Sequence, residues 1–174
     1  MSRIIADNAQ LESASFQHHE IFMTTTLTNV PFDEIRNGDT REYSKTLTRE
    51  DVLLFARTSG DFNPVHLDEA YAKTTEFGEC IGHGMWSGAL VSAAIATTLP
   101  GPGSIYRSQT LKFMKPVKIG DTLTVHLTVT EKKDRIRLVT IECNVLNQHG
   151  VKVASGVAEV IAPEKSITCT VTPP

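Results

Sequence analysis

The chain lacks the means for a disulfide framework. Its three cysteines, Cys80, Cys143 and Cys169, are an odd number, and none forms a Cys-x-x-Cys pair. A cysteine-held zinc site is therefore not expected, and a reducing compartment, hence a cytoplasmic location, is. Long apolar runs are missing: no stretch approaches the roughly 18 consecutive apolar residues of a membrane span. Met1 to Gln10 holds only Ile4 and Ile5 as large apolar residues, too few for a secretory signal. A basic excess is missing too. Lys and Arg number 17 against 20 Asp and Glu, and the net charge of −3 opposes nucleic-acid binding through a broad positive field. Neither a phosphate-cradling glycine fingerprint nor an HExxH helix occurs. Trp86-Ser87-Gly88 is no nucleophile elbow, because Met85 stands where the first glycine belongs. The adjacent His18-His19 lacks a further ligand nearby, so no metal is expected.

What remains is a chain of 174 residues with 40% apolar and 21% charged residues, suited to one domain with a real core. Residues 1–27 read as a weakly structured extension, 28–163 as the domain and 164–174 as a tail. Thr48 with Asp51 three residues on predicts a helix start, and the helix runs to about Arg57. Asp68 is placed to cap a second short helix. From Gly84 to Thr98 no side chain is charged and Gly88, Ala89, Ser92, Ala93, Ala94 and Ala96 are small. That composition predicts a buried central helix, stopped by Pro100-Gly101-Pro102-Gly103. In the C-terminal half Leu123, Val125, Leu127 and Val129 alternate with polar residues, as do Val139, Ile141, Cys143 and Val145. This period of two predicts antiparallel strands buried on one face, packed on the helix in an α+β domain.

Two constellations can carry chemistry. The first is Gly60-Asp61-Phe62-Asn63-Pro64-Val65-His66, read as a stiff loop between helices. Its carboxylate and imidazole can converge on one water and deprotonate it; the same residues also suit a turn that is merely stabilised. The second is Gly82-His83-Gly84-Met85 at the start of the central helix. Free N–H groups and the helix dipole there favour developing negative charge, although glycines also serve a tight turn into a crowded core. His83 is read as structural.

Phe55 to Ala72, FARTSGDFNPVHLDEAYA, is similar to the hydratase-2 motif of MaoC-like (R)-specific enoyl-CoA hydratases. The similarity continues through HGMWSGALVSA, LPGPGSIY, LKFMKPVKIGDTLTV and NQHGVKVASGVAEV, and covers roughly Phe32 to Pro163. Thr58 departs from the family's common leucine. The resemblance implies a hot-dog fold, with an antiparallel sheet around a long helix. It implies reversible hydration of a trans-2-enoyl-CoA to an (R)-3-hydroxyacyl-CoA, with coenzyme A entering as part of the substrate and no separate cofactor. Asp61 and His66 match the catalytic pair, and Gly84 matches the backbone N–H that polarises the thioester. Asn63, in an orienting role, and Met85, Ser92 and Ile95 make up the substrate-binding set. Gly84, Gly88, Ser92 and Ile95 are spaced for one helix face. Arg107, Lys112 and Lys115 are candidates for the coenzyme A phosphates. A homodimer or higher homo-oligomer is implied, with no nucleic acid and no membrane as partner. TEFGECIGHGMWSGAL, LPGPGSIY and NQHG further resemble the MaoC-type domain that precedes a phosphate acyltransferase domain in bifunctional proteins. An acyl-CoA thioesterase on the same fold, or a non-catalytic acyl-CoA-binding module of a phosphate acyltransferase, are the alternatives.

Overall fold

The computed structural model describes residues 24–172; His18-His19 and most of the expected extension lie outside them. In chain order it contains β1 (Thr25–Thr28), β2 (Thr40–Thr46), α1 (Arg49–Ser59), α2 (Pro64–Leu67), α3 (Glu69–Ala72), α4 (Gly84–Thr97), β3 (Ile105–Phe113), β4 (Thr122–Lys133), β5 (Leu138–Leu146), β6 (Lys152–Ile161) and β7 (Thr168–Val171). Among the described residues no helix is long and apolar enough to cross a membrane.

The alternating residues do what their period dictates. Leu123, Val125, Leu127 and Val129 of β4 and Val139, Ile141, Cys143 and Val145 of β5 all point into the core and are buried. Five strands pair antiparallel in the order β2-β4-β5-β6-β3, and α4 rests on β2, β4 and β5. This is the α+β hot-dog arrangement. Its largest fully buried side chains are aliphatic: Leu123, Leu127, Ile141 and Ile95 are each at most 1% exposed. Truncating any one to alanine removes about 2–5 kcal/mol. Burial pushes the Cys143 thiol up to about 12, so it stays protonated and serves as a small apolar residue.

Two findings differ from the expectations. The helix α4 is buried on one side only. Trp86, Ser87, Leu90, Val91, Ala94 and Ile95 face the sheet, while Met85, Ala89, Ser92 and Ala96 are exposed. The missing charge marks an uncovered stripe of small residues, because a single sheet covers only one side of a helix. The second finding concerns the ends. β1 pairs with β7 from Thr25↔Val171 to Thr28↔Thr168, so the expected division at 27 cuts through β1 and that at 163 leaves its partner β7 in the tail. Buried Asn29 holds it in place. Its side-chain amide donates to the carbonyls of Pro102 (3.1 Å) and Lys165 (3.0 Å) and its Oδ1 accepts from the Ile167 N–H (2.9 Å). Such bonds arise only between segments far apart in sequence, which local composition does not reveal.

At the sheet's edge, among the described residues, β3 pairs only with β6. The two approach closely at Gly156, where an added Cβ would lie 1.7 Å from the Thr110 carbonyl oxygen.

Candidate active site

The site is built from the end of α1 to the start of α4. Thr48 and Asp51 form a reciprocal capping box that starts α1, and Gly60 ends it in the left-handed conformation, φ 76°, which glycine adopts without steric cost. The chain then reverses. Asp61 Oδ1 accepts the Asn63 N–H at 3.2 Å, and Asn63 Oδ1 accepts the Val65 N–H at 3.2 Å. Asn63 is thus the N-cap of α2, with Pro64 in the first turn. The stiff loop of the sequence reading is, over Pro64–Leu67, one helical turn. Asn63 orients Asp61 through its backbone while its side chain is used as the cap.

His66 lies on α2 and is buried. Its Nδ1 lies 2.9 Å from the Ile81 carbonyl oxygen. A carbonyl only accepts, so Nδ1 carries a proton, and in the neutral ring Nε2 presents a lone pair. Arg49 fastens the same turn, donating to the carbonyls of His66 (2.9 Å) and Leu67 (2.8 Å). Asp68 accepts from the N–H groups of Ala70 and Tyr71 and starts α3. His83, the residue before α4, is also buried. Its Nε2 lies 3.1 Å from the Asp61 carbonyl oxygen. One donor atom from each of exposed Asp61 and buried His66 and His83 lies within 4.8 Å of the other two. Burial holds the His83 imidazole below its ordinary 6.5; the Asp61 carbonyl opposes this and neighbouring His66 adds to it.

A cavity of about 270 Å³ adjoins this cluster and has both His66 and Gly84 in its wall. The first N–H groups of α4 have no intrahelical acceptor, so Gly84 can offer its own to an oxygen held there. Phe77, Ile81, Phe113, Met114 and Val153 make the wall largely apolar, and Lys115 adds a cation to it. An acyl chain suits such a lining.

The structure therefore sets His66 beside Asp61 and in one wall with Gly84, keeps Asn63 bonded to Asp61, and disperses Met85, Ser92 and Ile95. Met85 and Ser92 are exposed on the open side of α4, away from this cavity. Ile95 does not share their face. Three residues beyond Ser92 it has turned inward and is 1% exposed within the aliphatic core. Of the three basic candidates Lys115 borders the cavity, whereas Arg107 and Lys112 are exposed on β3. The sequence reading missed Phe77, Phe113, Met114, Val117 and Val153. The one local signal was the Phe113-Met114-Lys115-Pro116 run, where proline must end the strand's ladder.

A family profile described as a MaoC like domain matches residues 33–151. The chain is 43% identical over 136 residues to an (R)-specific enoyl-CoA hydratase of Rhodospirillum rubrum, covering 77% of this chain and 92% of that protein. To an (R)-specific enoyl-CoA hydratase of Aeromonas caviae it is 39% identical over 126 residues, 72% of this chain and 94% of that one. Among solved structures, the unliganded R-hydratase PhaJ1 of Pseudomonas aeruginosa superposes with a TM-score of 0.83 at 50% identity, over 86% of this chain and 97% of that one. Together with the five-stranded sheet on α4 and the Asp61–His66 cluster, these likenesses make one conclusion: the chain belongs to the MaoC-like hydratase family.

Proposed function

We propose that this protein is an (R)-specific enoyl-CoA hydratase, adding water reversibly across the double bond of a trans-2-enoyl-CoA. The observation that carries the reading is the placing of His66 and Gly84 in one cavity wall, with the Asp61 carboxylate beside His66. His66 Nε2 and Asp61 hold one water between them. Asp61 takes a proton from it as its oxygen bonds to Cβ. The electron pair of the double bond moves toward the thioester, and enolate character builds on the thioester oxygen. The Gly84 N–H at the α4 terminus stabilises that oxygen; a single such donor is worth about 3–4 kcal/mol in barrier. The pair returns the proton to Cα. Asn63 fixes the carboxylate through its N–H, and Lys115 offers a cation to the coenzyme A phosphates. The reaction consumes no redox equivalents, and coenzyme A belongs to the substrate.

Loss of the conjugated-thioester absorbance on adding crotonyl-CoA tests the reading, with chiral analysis of the product. Asp61→Asn is expected to abolish turnover while the fold persists; full activity in that variant would sink the assignment. Release of free thiol from a saturated acyl-CoA would favour the thioesterase alternative.

We further infer a homodimer. The exposed stripe Met85, Ala89, Ser92 and Ala96 is uncharged, and exposed Ile105 and Phe113 lie on the edge strand β3. A second copy covers both, Ser92 included. Light scattering at micromolar concentration is expected to return twice the mass of one chain; a monomer would overturn the inference. The free thiols of Cys80, Cys143 and Cys169 fit the reducing cytoplasm.

A further inference from the structure

The hydratase reading leaves His83 unused, yet this residue touches both members of the catalytic pair. It is 2% exposed. It stands in the N-cap position of α4 without capping it with its side chain. Its ring is turned instead toward the Asp61–His66 turn. Nε2 lies 3.1 Å from the Asp61 carbonyl oxygen. The His66 ring lies on one side, with centroids 3.9 Å apart, and the Phe55 ring at 5.0 Å.

The chemistry of these contacts determines the protonation. A carbonyl oxygen only accepts, so Nε2 carries the proton. In the neutral ring Nδ1 then holds a bare lone pair. Nδ1 is buried and has no hydrogen-bond partner among the described residues. A buried polar atom without a partner lowers stability, and a residue chosen only to fill this space between Phe55 and His66 would be apolar. What the imidazole adds over an apolar ring is the Nε2–H on Asp61.

We propose that His83 is a positioning residue for Asp61. Its neutral imidazole donates from Nε2 to the Asp61 carbonyl, packs against His66, and so fixes where the carboxylate meets the shared water. This rests on the hydratase reading for what is being positioned. The carboxylate has a second tie at its side chain, the Asn63 N–H on Oδ1. Both its backbone and its side chain are then restrained although Asp61 itself is exposed. Because His83 directly precedes Gly84, the same residue joins the base to the helix terminus that faces the thioester.

The test compares two variants with the wild type. His83→Phe keeps an aromatic ring between Phe55 and His66 and removes the donor. Its kcat on crotonyl-CoA is expected to fall about 10- to 100-fold while KM stays within about threefold, the signature of lost alignment with intact binding. His83→Gln, whose amide N–H₂ reaches about as far as Nε2, is expected to recover most of that kcat. Nitrogen-15 NMR on the unmodified protein is expected to show the Nε2–H tautomer of His83, a readout that needs no variant to fold. An active wild type with an unimpaired His83→Phe, equal losses in both variants, or an Nδ1–H tautomer would each overturn the positioning role. A wild type inert toward crotonyl-CoA overturns the hydratase reading instead, and the tautomer still decides whether the hydrogen bond exists.

Discussion

The imidazole rings of His66 and His83 lie 3.9 Å apart, centroid to centroid, with their planes tilted by 33°. A pair of rings this close does not readily carry two charges. Burial, with His66 adding to it against the opposing Asp61 carbonyl, holds His83 below 6.5 in the folded protein. The unfolded chain therefore binds a proton at His83 that the folded chain does not, and stability falls as pH drops below 6.5 toward the depressed folded value. Urea unfolding at about pH 7.5 and about pH 5.5 measures this loss. In His83→Gln the acid-side loss is expected to shrink; an unchanged loss would assign it to other groups.

Gly84 separates space from chemistry. An added Cβ would meet the Phe113 ring at 3.4 Å, an ordinary contact, and at the first position of a helix alanine costs the backbone nothing that glycine avoids. Gly84→Ala should therefore fold as well as the wild type. Alanine keeps the backbone N–H but adds a methyl group to the cavity wall beside it, and the crowding of a thioester held there is expected to lower kcat/KM about tenfold or more. Thermal unfolding together with crotonyl-CoA kinetics checks both halves, and wild-type turnover would show that the thioester does not approach this part of the cavity wall.

Asp51 tests the platform under the site. Burial alone would raise its carboxyl. The hydrogen bonds from Lys45 Nζ, at 2.6 Å, and from the Thr48 side chain and N–H outweigh this and hold it below 3.8. Asp51→Asn is expected to lower stability by about 1 kcal/mol at neutral pH. The wild type's advantage is present above pH 3.8 and disappears as pH falls through the depressed folded value. Denaturant midpoints at neutral pH and at about pH 3 decide it.

At Gly156 the clash is with backbone. A Cβ 1.7 Å from the Thr110 carbonyl oxygen cannot be accommodated by a side-chain rotation. Gly156→Ala is expected to separate β3 from β6 locally and lower stability by about 3 kcal/mol or more. Circular dichroism melts check this, and a wild-type melting curve would show that the two strands have room to shift.

Legibility followed the range of each interaction. The alternation in β4 and β5, the Thr48–Asp51 cap and the limits of α4 depend on residues a few positions apart, and each was readable from the chain. The α2 turn was not, because four residues carry no periodicity and its signal was only Asn63 before Pro64. The open side of α4 was misread for a physical reason. Lack of charge shows that a helix face avoids water, but not whether its own sheet or another molecule covers it. Asp61, His66 and Gly84 were found because their residue types announce chemistry at short spacing. Phe113, Met114 and Val153 were missed, since apolar residues become a wall only once β3 and β6 pair. His83 was read as structural because its contact with Asp61 spans 22 positions.

The pairing of Thr25 with Val171 has a consequence for engineering. The described residues enter and leave the domain through the same point, so in a chain cut back to 24–172 the two ends can be spliced by a short Gly/Ser bridge without reaching across the molecule. New ends opened at the exposed turn around Gln148 to Gly150 would then leave the Asp61–His66–Gly84 cluster on one unbroken length of chain, and a circularly permuted protein of this order is expected to hydrate crotonyl-CoA at the parent's rate.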